Sequence, residues 1–310
     1  MPERFIGVEI GGTKLQVVLG ENPSEIKDRH RAAVDSERGA EGILEEIKKG
    51  LRQLLGQQPA SAVGIGFGGP INWKTNQIAC SHHIKGWDGF DLGAWMEEQA
   101  GAPVAMDNDA NVAGLAEATY GAGKESDPVF YVTLGSGVGG GLVCQGSIYH
   151  GAIPGDSEIG HIRLNHEGEI LEHSCSGWSV DRKIREAIQS SPESLLARCV
   201  EAESGPPAKA LAPALDQGDA LARSILQATV RDLALGLSHV VQLLHPEAIV
   251  IGGGLSLLGA PLLDELRLTL PNYLMKIMLP GPSVHLAALG EDVVPIGALA
   301  LAQQLWSKAR

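Results

Sequence analysis

Four glycine clusters carry the first chemical signal in this sequence. They are Gly11-Gly12, Gly64 to Gly69, Gly135 to Gly141 and Gly252 to Gly254, and each lies at the end of an apolar run. Glycine there lets the chain turn sharply and brings backbone N–H groups close to a ligand. Four such places point to phosphates or other polar ligands rather than to tight turns alone. In Glu9-Ile-Gly-Gly-Thr-Lys14, Gly11 and Gly12 can aim N–H groups at phosphate oxygens, Thr13 adds a hydroxyl and Lys14 a neutralising cation. Gly135-x-Gly137-x-x-Gly140 formally matches a dinucleotide fingerprint, but that fingerprint needs a helix directly after the glycines. Leu142-Val-Cys-Gln-Gly146 reads instead as strand and turn. A phosphate clamp of Gly135, Ser136 and Gly137 is the better reading, and a dehydrogenase is set aside. Asp107-Asn-Asp109 opens an Ala-rich segment, where Asp and Asn both cap helices and face clefts. Glu158 and His161, three residues apart, share one face of a helical turn. That pair suits hydroxyl-bearing ligands or a metal.

These residues need a scaffold. Phe5 to Ile10 and Leu15 to Leu19 read as a hairpin around the first glycine turn. Val129 to Thr133 and Gly141 to Gln145 read as a second hairpin around the next. Helical spacing is predicted over Ala40 to Leu55, Leu92 to Ala100, Ala110 to Tyr120, Trp178 to Ile188, Leu195 to Ala202, Ala220 to Leu244 and Ile296 to Trp306. A Pro- and Gly-containing break covers Gly205 to Pro213. Short strands are predicted at Ala62 to Phe67, Val104 to Met106 and Ala248 to Ile251. A hairpin with a glycine turn thus opens each half of the chain and helices follow it. This predicts two similar α/β lobes with a central cleft between them for a ligand. The expected partition is 1–107 plus the C-terminal helix 297–310 as a small α/β lobe, and 108–296 as a large α/β lobe.

Composition excludes several classes. Lys and Arg number 24 and Asp and Glu 37 in 310 residues, a net charge of −13. So acidic a chain is not expected to bind nucleic acid or an anionic membrane surface. No stretch approaches the roughly 20 apolar residues of a membrane span. The four cysteines, Cys80, Cys144, Cys175 and Cys199, are scattered without a CxxC pair, which points to reduced thiols and the cytoplasm.

Taken together the motifs resemble the ROK (repressor, open reading frame, kinase) family within the sugar kinase, actin and Hsp70-type ATPases. Gly7 to Lys14 resembles the first phosphate motif and Gly66-Phe-Gly-Gly-Pro-Ile71 the substrate loop. Asp107 to Ala110 resembles the Asn-Asp motif, Thr133 to Gly141 the second phosphate motif and Glu158-Ile-Gly-His161 the Glu-x-Gly-His motif. His245 to Gly254 resembles the adenosine motif, and Leu289 to Ala298 the segment before the last helix. The resemblance implies a two-lobed, actin-like (ribonuclease H-like) α/β fold and an ATP-dependent, Mg²⁺-requiring sugar kinase. A small-molecule sugar, glucose first among hexoses, is the implied substrate and C6 its implied acceptor. Asp109 maps to the general base. Asn108, Gly68, Gly69, Glu158, His161 and Glu172 map to the sugar, and Gly252, Gly253 and Gly254 to adenine and ribose. A homodimer is common in the family, though this sequence does not itself show one.

The chain departs from the family pattern at three places. Glu9 stands where Asp usually helps place Mg²⁺. His83, in Ser81-His-His-Ile84, stands where the family often has Asn against the sugar. The stretch Arg163–Leu171 between His161 and Glu172 contains no cysteine, so no structural zinc is expected, since such a site needs four N or S ligands. The rival to the kinase is a catalytically weak sugar-binding sensor or regulator of the same family, without a DNA-binding domain.

Overall fold

Phe5–Ile10 is apolar or small at every position but Glu9, and such a run can bury both faces of a strand. In the computed structural model, which describes residues 3–79, 84–153 and 157–310, this segment is strand β1 and all six residues are buried. It is followed by β2 (Lys14–Gly20), β3 (Asp28–Ala33), α1 (Gly39–Leu55), β4 (Ala62–Phe67), the two-residue strands β5 (Ile71–Asn72) and β6 (Gln77–Ile78), α2 (Leu92–Ala100), β7 (Val104–Asn108) and α3 (Asp109–Thr119). The sheet order is β3-β2-β1-β4-β7. β2 runs antiparallel to β1 and β3, while β4 runs parallel to β1 and β7. Alternate side chains leave a strand on opposite faces. Ile6, Val8 and Ile10 accordingly join Ile43, Ile47 and Leu51 of α1 in one apolar cluster. Phe5, Val18 and Ala62 join a separate cluster with Leu299 and Ala302.

A second sheet repeats the design. β8 (Val129–Leu134), β9 (Val138–Cys144) and β10 (Ser147–Ile148) are followed, after helices α4 (Leu171–Cys175), α5 (Gly177–Ser190), α6 (Leu195–Ala202), α7 (Leu211–Asp216) and α8 (Ala220–Leu244), by β11 (Ala248–Gly252), α9 (Ala260–Thr269) and β12 (Ser283–Leu286). The order is β10-β9-β8-β11-β12. As in the first sheet, the opening strand of a glycine-turn hairpin lies at the centre, and two parallel strands extend from it. The last helix, α10 (Val293–Lys308), packs on α3, β1 and β4. Gly297 permits that packing, because a Cβ there would lie 2.0 Å from the carbonyl oxygen of Val112.

The chain forms two compact units. Unit 1 is Met1–Glu125, Gly141–Ser157 and Ala288–Arg310, and unit 2 is Ser126–Gly140 and Glu158–Ala287. These divisions differ from the expected 1–107, 108–296 and 297–310, chiefly because α3 packs on α10 within unit 1. Three segments correct the sequence reading. β3, sequence DRHRAA, is a charged edge strand, and charge on an edge discourages pairing with other chains. The Gly205 to Pro213 break contains a 3₁₀ turn, Pro207–Ala210, and the start of α7. Pro213 is the third residue of α7, where proline is tolerated because first-turn N–H groups have no helical partner. β9 starts at Val138 rather than Gly141, so its glycines belong to the strand. Among the described residues no helix is long and apolar enough to cross a membrane.

Candidate active site

The parallel register of unit 1 brings three strand ends side by side. Ile10 pairs with Phe67 and Phe67 with Asn108, so the next residues, Gly11, Gly68 and Asp109, converge where the strands finish. Carboxyl ends of parallel strands are the usual ligand position in α/β sheets. The Gly68 N–H donates to the Ile10 carbonyl at 2.8 Å. A Cβ on Gly68 would lie 3.3 Å from Asp109 Oδ2 and 3.5 Å from Gly11 Cα. Asn108 is the N-cap of α3. Its Oδ1 accepts from the Ala110 N–H at 2.9 Å, and its Nδ2 donates to the Gly69 carbonyl at 3.3 Å. Capping thus falls to Asn108, and Asp109 is the first helical residue. Desolvation pushes the Asp109 carboxyl up to about 6, opposed by the Ala110 N–H and reinforced by the negative charge of Glu9.

Around the first glycine turn, Gly11 N–H donates to the Lys14 carbonyl at 2.9 Å and closes the hairpin. Gly12 and Thr13 at its tip are exposed. Glu9 is nearly buried. Its Oε1 lies 3.2 Å from Lys14 Nζ, and its Oε2 accepts from Gln16 Nε2 at 2.7 Å. Asp107, to which the sequence assigned no role of its own, is buried at the base of the Asn108–Asp109 step. Its Oδ1 accepts from the Asn108 N–H at 2.8 Å and from Asn111 Nδ2 at 2.9 Å, and its Oδ2 lies 2.6 Å from His150 Nε2. His150 stacks on Trp73 with ring centroids 4.1 Å apart. His83 lies outside the described residues.

Unit 2 carries the other group. Thr133 pairs with Gly252 across β8 and β11, so Leu134 to Gly137 and Gly253 to Gly254 leave adjacent strands together. Gly253 has φ +79°, and a Cβ there would lie 2.5 Å from the Leu134 backbone. Only glycine combines that conformation with that contact. The Gly177 N–H donates to the Gly135 carbonyl at 2.7 Å, which sets the start of α5 beside the hairpin. A helix N-terminus there favours an anion. These segments border a cavity of about 590 Å³ whose walls include Trp178, Pro206, Ala212, Leu257 and Leu258. Its size falls within the range of small-molecule sites. Trp178 and the 206–212 wall were legible only as a helix end and a break, so the cavity itself had no signal in the sequence.

Glu172 on α4 sits against the same hairpin, with Oε2 accepting from the Val138 N–H at 2.9 Å. Glu158 precedes and His161 ends a 3₁₀ turn, Ile159–His161, and both are exposed. Backbone bonds hold the loop after them: Leu164 N–H to Glu169 at 2.8 Å and Leu171 N–H to Ile162 at 2.9 Å. Among the described residues no group of three or more His, Cys, Asp or Glu side chains converges to hold a metal.

The sequence pattern of the ROK family matches residues 5–305. A glucokinase of Halalkalibacterium halodurans is 33% identical, over 97% of this chain and 95% of its own length. A glucokinase of Thermotoga maritima is 29% identical, over 98% and 99%. Among solved structures, a ROK family glucokinase from Streptomyces griseus in complex with glucose and AMPPNP superimposes with a TM-score of 0.83 at 30% identity. That match covers 97% of this chain and 99% of that one.

Proposed function

Because this chain belongs to the ROK family, we propose that it transfers the γ-phosphoryl group of ATP to a hexose hydroxyl, the C6 hydroxyl of glucose or of a related hexose or N-acetylhexosamine. The observation that carries this reading is the convergence of Asp109 with Gly11 and Gly68 at three strand ends, with the Asp109 carboxyl raised to about 6. Phosphoryl transfer needs alignment, charge neutralisation and a carboxylate to accept the hydroxyl proton. A base is most effective when its pKa lies near the working pH, and Asp109 is ionised and ready just below neutrality.

Asn108 and the backbone at Gly68 and Gly69 hold neighbouring sugar hydroxyls, with Glu158, His161 and His83 assigned to the same ligand. Glu172 is assigned to the sugar as well; its Oε2 accepts from the Val138 N–H. Adenine and ribose occupy the cavity beside Gly252, Gly253 and Gly254, with the rings against Trp178. Phosphate oxygens are assigned to the backbone of Gly135, Ser136 and Gly137 and to Gly11, Gly12, Thr13 and Lys14. A donor set with one nearly buried carboxylate, Glu9, suits Mg²⁺, which keeps several waters and takes its other ligands from phosphate oxygens. Glu9 would hold it, and when bound it supplies neutralisation of phosphate charge. ATP as donor places the reaction in the cytoplasm.

The test is ADP release with ATP and Mg²⁺ over a panel of hexoses and N-acetylhexosamines, with wild type beside Asp109→Asn. One sugar should give strong turnover, and the variant should lose about 10²-fold or more, the scale of a general base. Sugar binding by thermal shift without turnover on any sugar would overturn the kinase in favour of a sugar-binding sensor.

A further inference from the structure

Glu9 and Gln16 are direct cross-strand partners in the β1–β2 hairpin, so their side chains leave the sheet on the same face. Gln16 is fully buried. Its Nε2 donates to Glu9 Oε2 at 2.7 Å, while its Oε1 accepts from Arg29 at 3.1 Å and from Arg31 Nε at 2.7 Å. Guanidinium groups only donate. With two of them on Oε1, the amide has one orientation left, and its N–H faces Glu9. Arg29 is held in turn by a two-pronged pair with Asp292, at 2.7 and 2.9 Å. A polar chain thus runs from Asp292 through Arg29 and Gln16 to Glu9 and ends beside the first glycine turn.

We propose that Gln16 is a positioning residue: it fixes the Glu9 carboxylate for the metal–nucleotide complex. A glutamate has one more rotatable bond than an aspartate, and each free rotor must be frozen before the carboxylate can meet a strict octahedral ion or its waters. Gln16 holds Oε2 and Lys14 holds Oε1, so the longer side chain arrives already oriented. Partners behind a metal-directed carboxylate commonly change metal affinity or activity by 10- to 100-fold when removed. The inference rests on the kinase reading of the same site.

The test is Gln16→Met, which keeps length and apolar volume and removes the donor. Binding of Mn²⁺·ADP and of metal-free ADP is measured by calorimetry, and the rate is followed against Mg²⁺ concentration. The expected result is about tenfold weaker Mn²⁺·ADP binding with metal-free ADP unaffected, and a Mg²⁺ requirement that rises more than kcat falls. A folded Gln16→Met protein with unchanged Mn²⁺·ADP affinity overturns the proposal. If that variant does not fold, Asp292→Asn decides: it loosens Arg29 from a half-exposed position and should weaken Mn²⁺·ADP selectively but by less, and no selective loss overturns the proposal. A wild type that binds Mn²⁺·ADP yet phosphorylates no hexose would end the kinase reading, and the binding ratio of the variants would still decide the role of Gln16.

Discussion

His150 Nε2 stands 2.6 Å from Oδ2 of Asp107, 43 residues away in the chain. The other Asp107 oxygen holds the Asn108 N–H and the Asn111 amide, so this carboxylate ties the start of α3 to the segment after β10. His150→Ala would leave a buried carboxylate oxygen without its partner and Trp73 without its stacked ring. A loss of about 1–3 kcal/mol is expected from the orphaned acceptor, read as a lower urea midpoint by tryptophan fluorescence. An unchanged midpoint would remove this pair from the account of how the site is held.

The raised carboxyl of Asp109 makes two opposite demands on pH. Catalysis needs it ionised, so kcat/KM should climb with pH through a midpoint of about 6. Stability runs the other way. Folding lifts the group from its ordinary 3.8 to about 6, so its contribution is present below about pH 4 and is lost as pH rises through 6. Asp109→Asn should therefore match wild type in thermal unfolding at about pH 4, melt higher at pH 7.5, and be nearly inactive. A variant that melts lower at pH 7.5 would contradict the desolvation account.

Trp178 offers the broadest apolar face in the unit 2 cavity. The residue is 66% exposed, so truncation should cost little stability. Base stacking on an aromatic ring contributes about 1–3 kcal/mol. Trp178→Ala should weaken ADP binding by about tenfold in calorimetry without shifting the melting curve. Unchanged ADP affinity would put the base elsewhere.

Glu117 is fully buried and holds three backbone donors within unit 1: Ala122 at 2.8 Å, and Ala288 and Leu289 at 2.9 Å. Glu117→Ala orphans all of them and opens a cavity, for an expected loss of about 3 kcal/mol or more. Glu117→Gln, which keeps one acceptor oxygen, should fall between. Denaturant unfolding of the three proteins tests that ranking.

The elements most legible in the sequence were those with an apolar period and a polar cap. Leu92–Ala100, Leu195–Ala202 and Ala220–Leu244 match their observed bounds, and Asp91, Ser194 and Asp219 cap them with side-chain oxygens. Strand β3 was not legible, because an edge strand has no apolar alternation to display. α9 and β12 follow a glycine-rich loop and were also missed. For the candidate site, the glycine turns and Asp109 stood out because their chemistry is local. The Asp107–His150 pair, the Gln16 chain and the Trp178 cavity did not, because each joins segments that only the sheet register brings together.

The place of α10 has a consequence for synthesis on the ribosome. β1 and β4 occupy the first 67 residues, yet the helix that covers one of their faces is Val293–Lys308. Translation at 5–20 residues per second leaves roughly 10–50 s between the emergence of β4 and of α10. Through that interval Phe5, Val18 and Ala62 lack their cover, so β1 and β4 are made long before they are sealed. Nascent chains of this protein are thus open to chaperones on that face until α10 arrives.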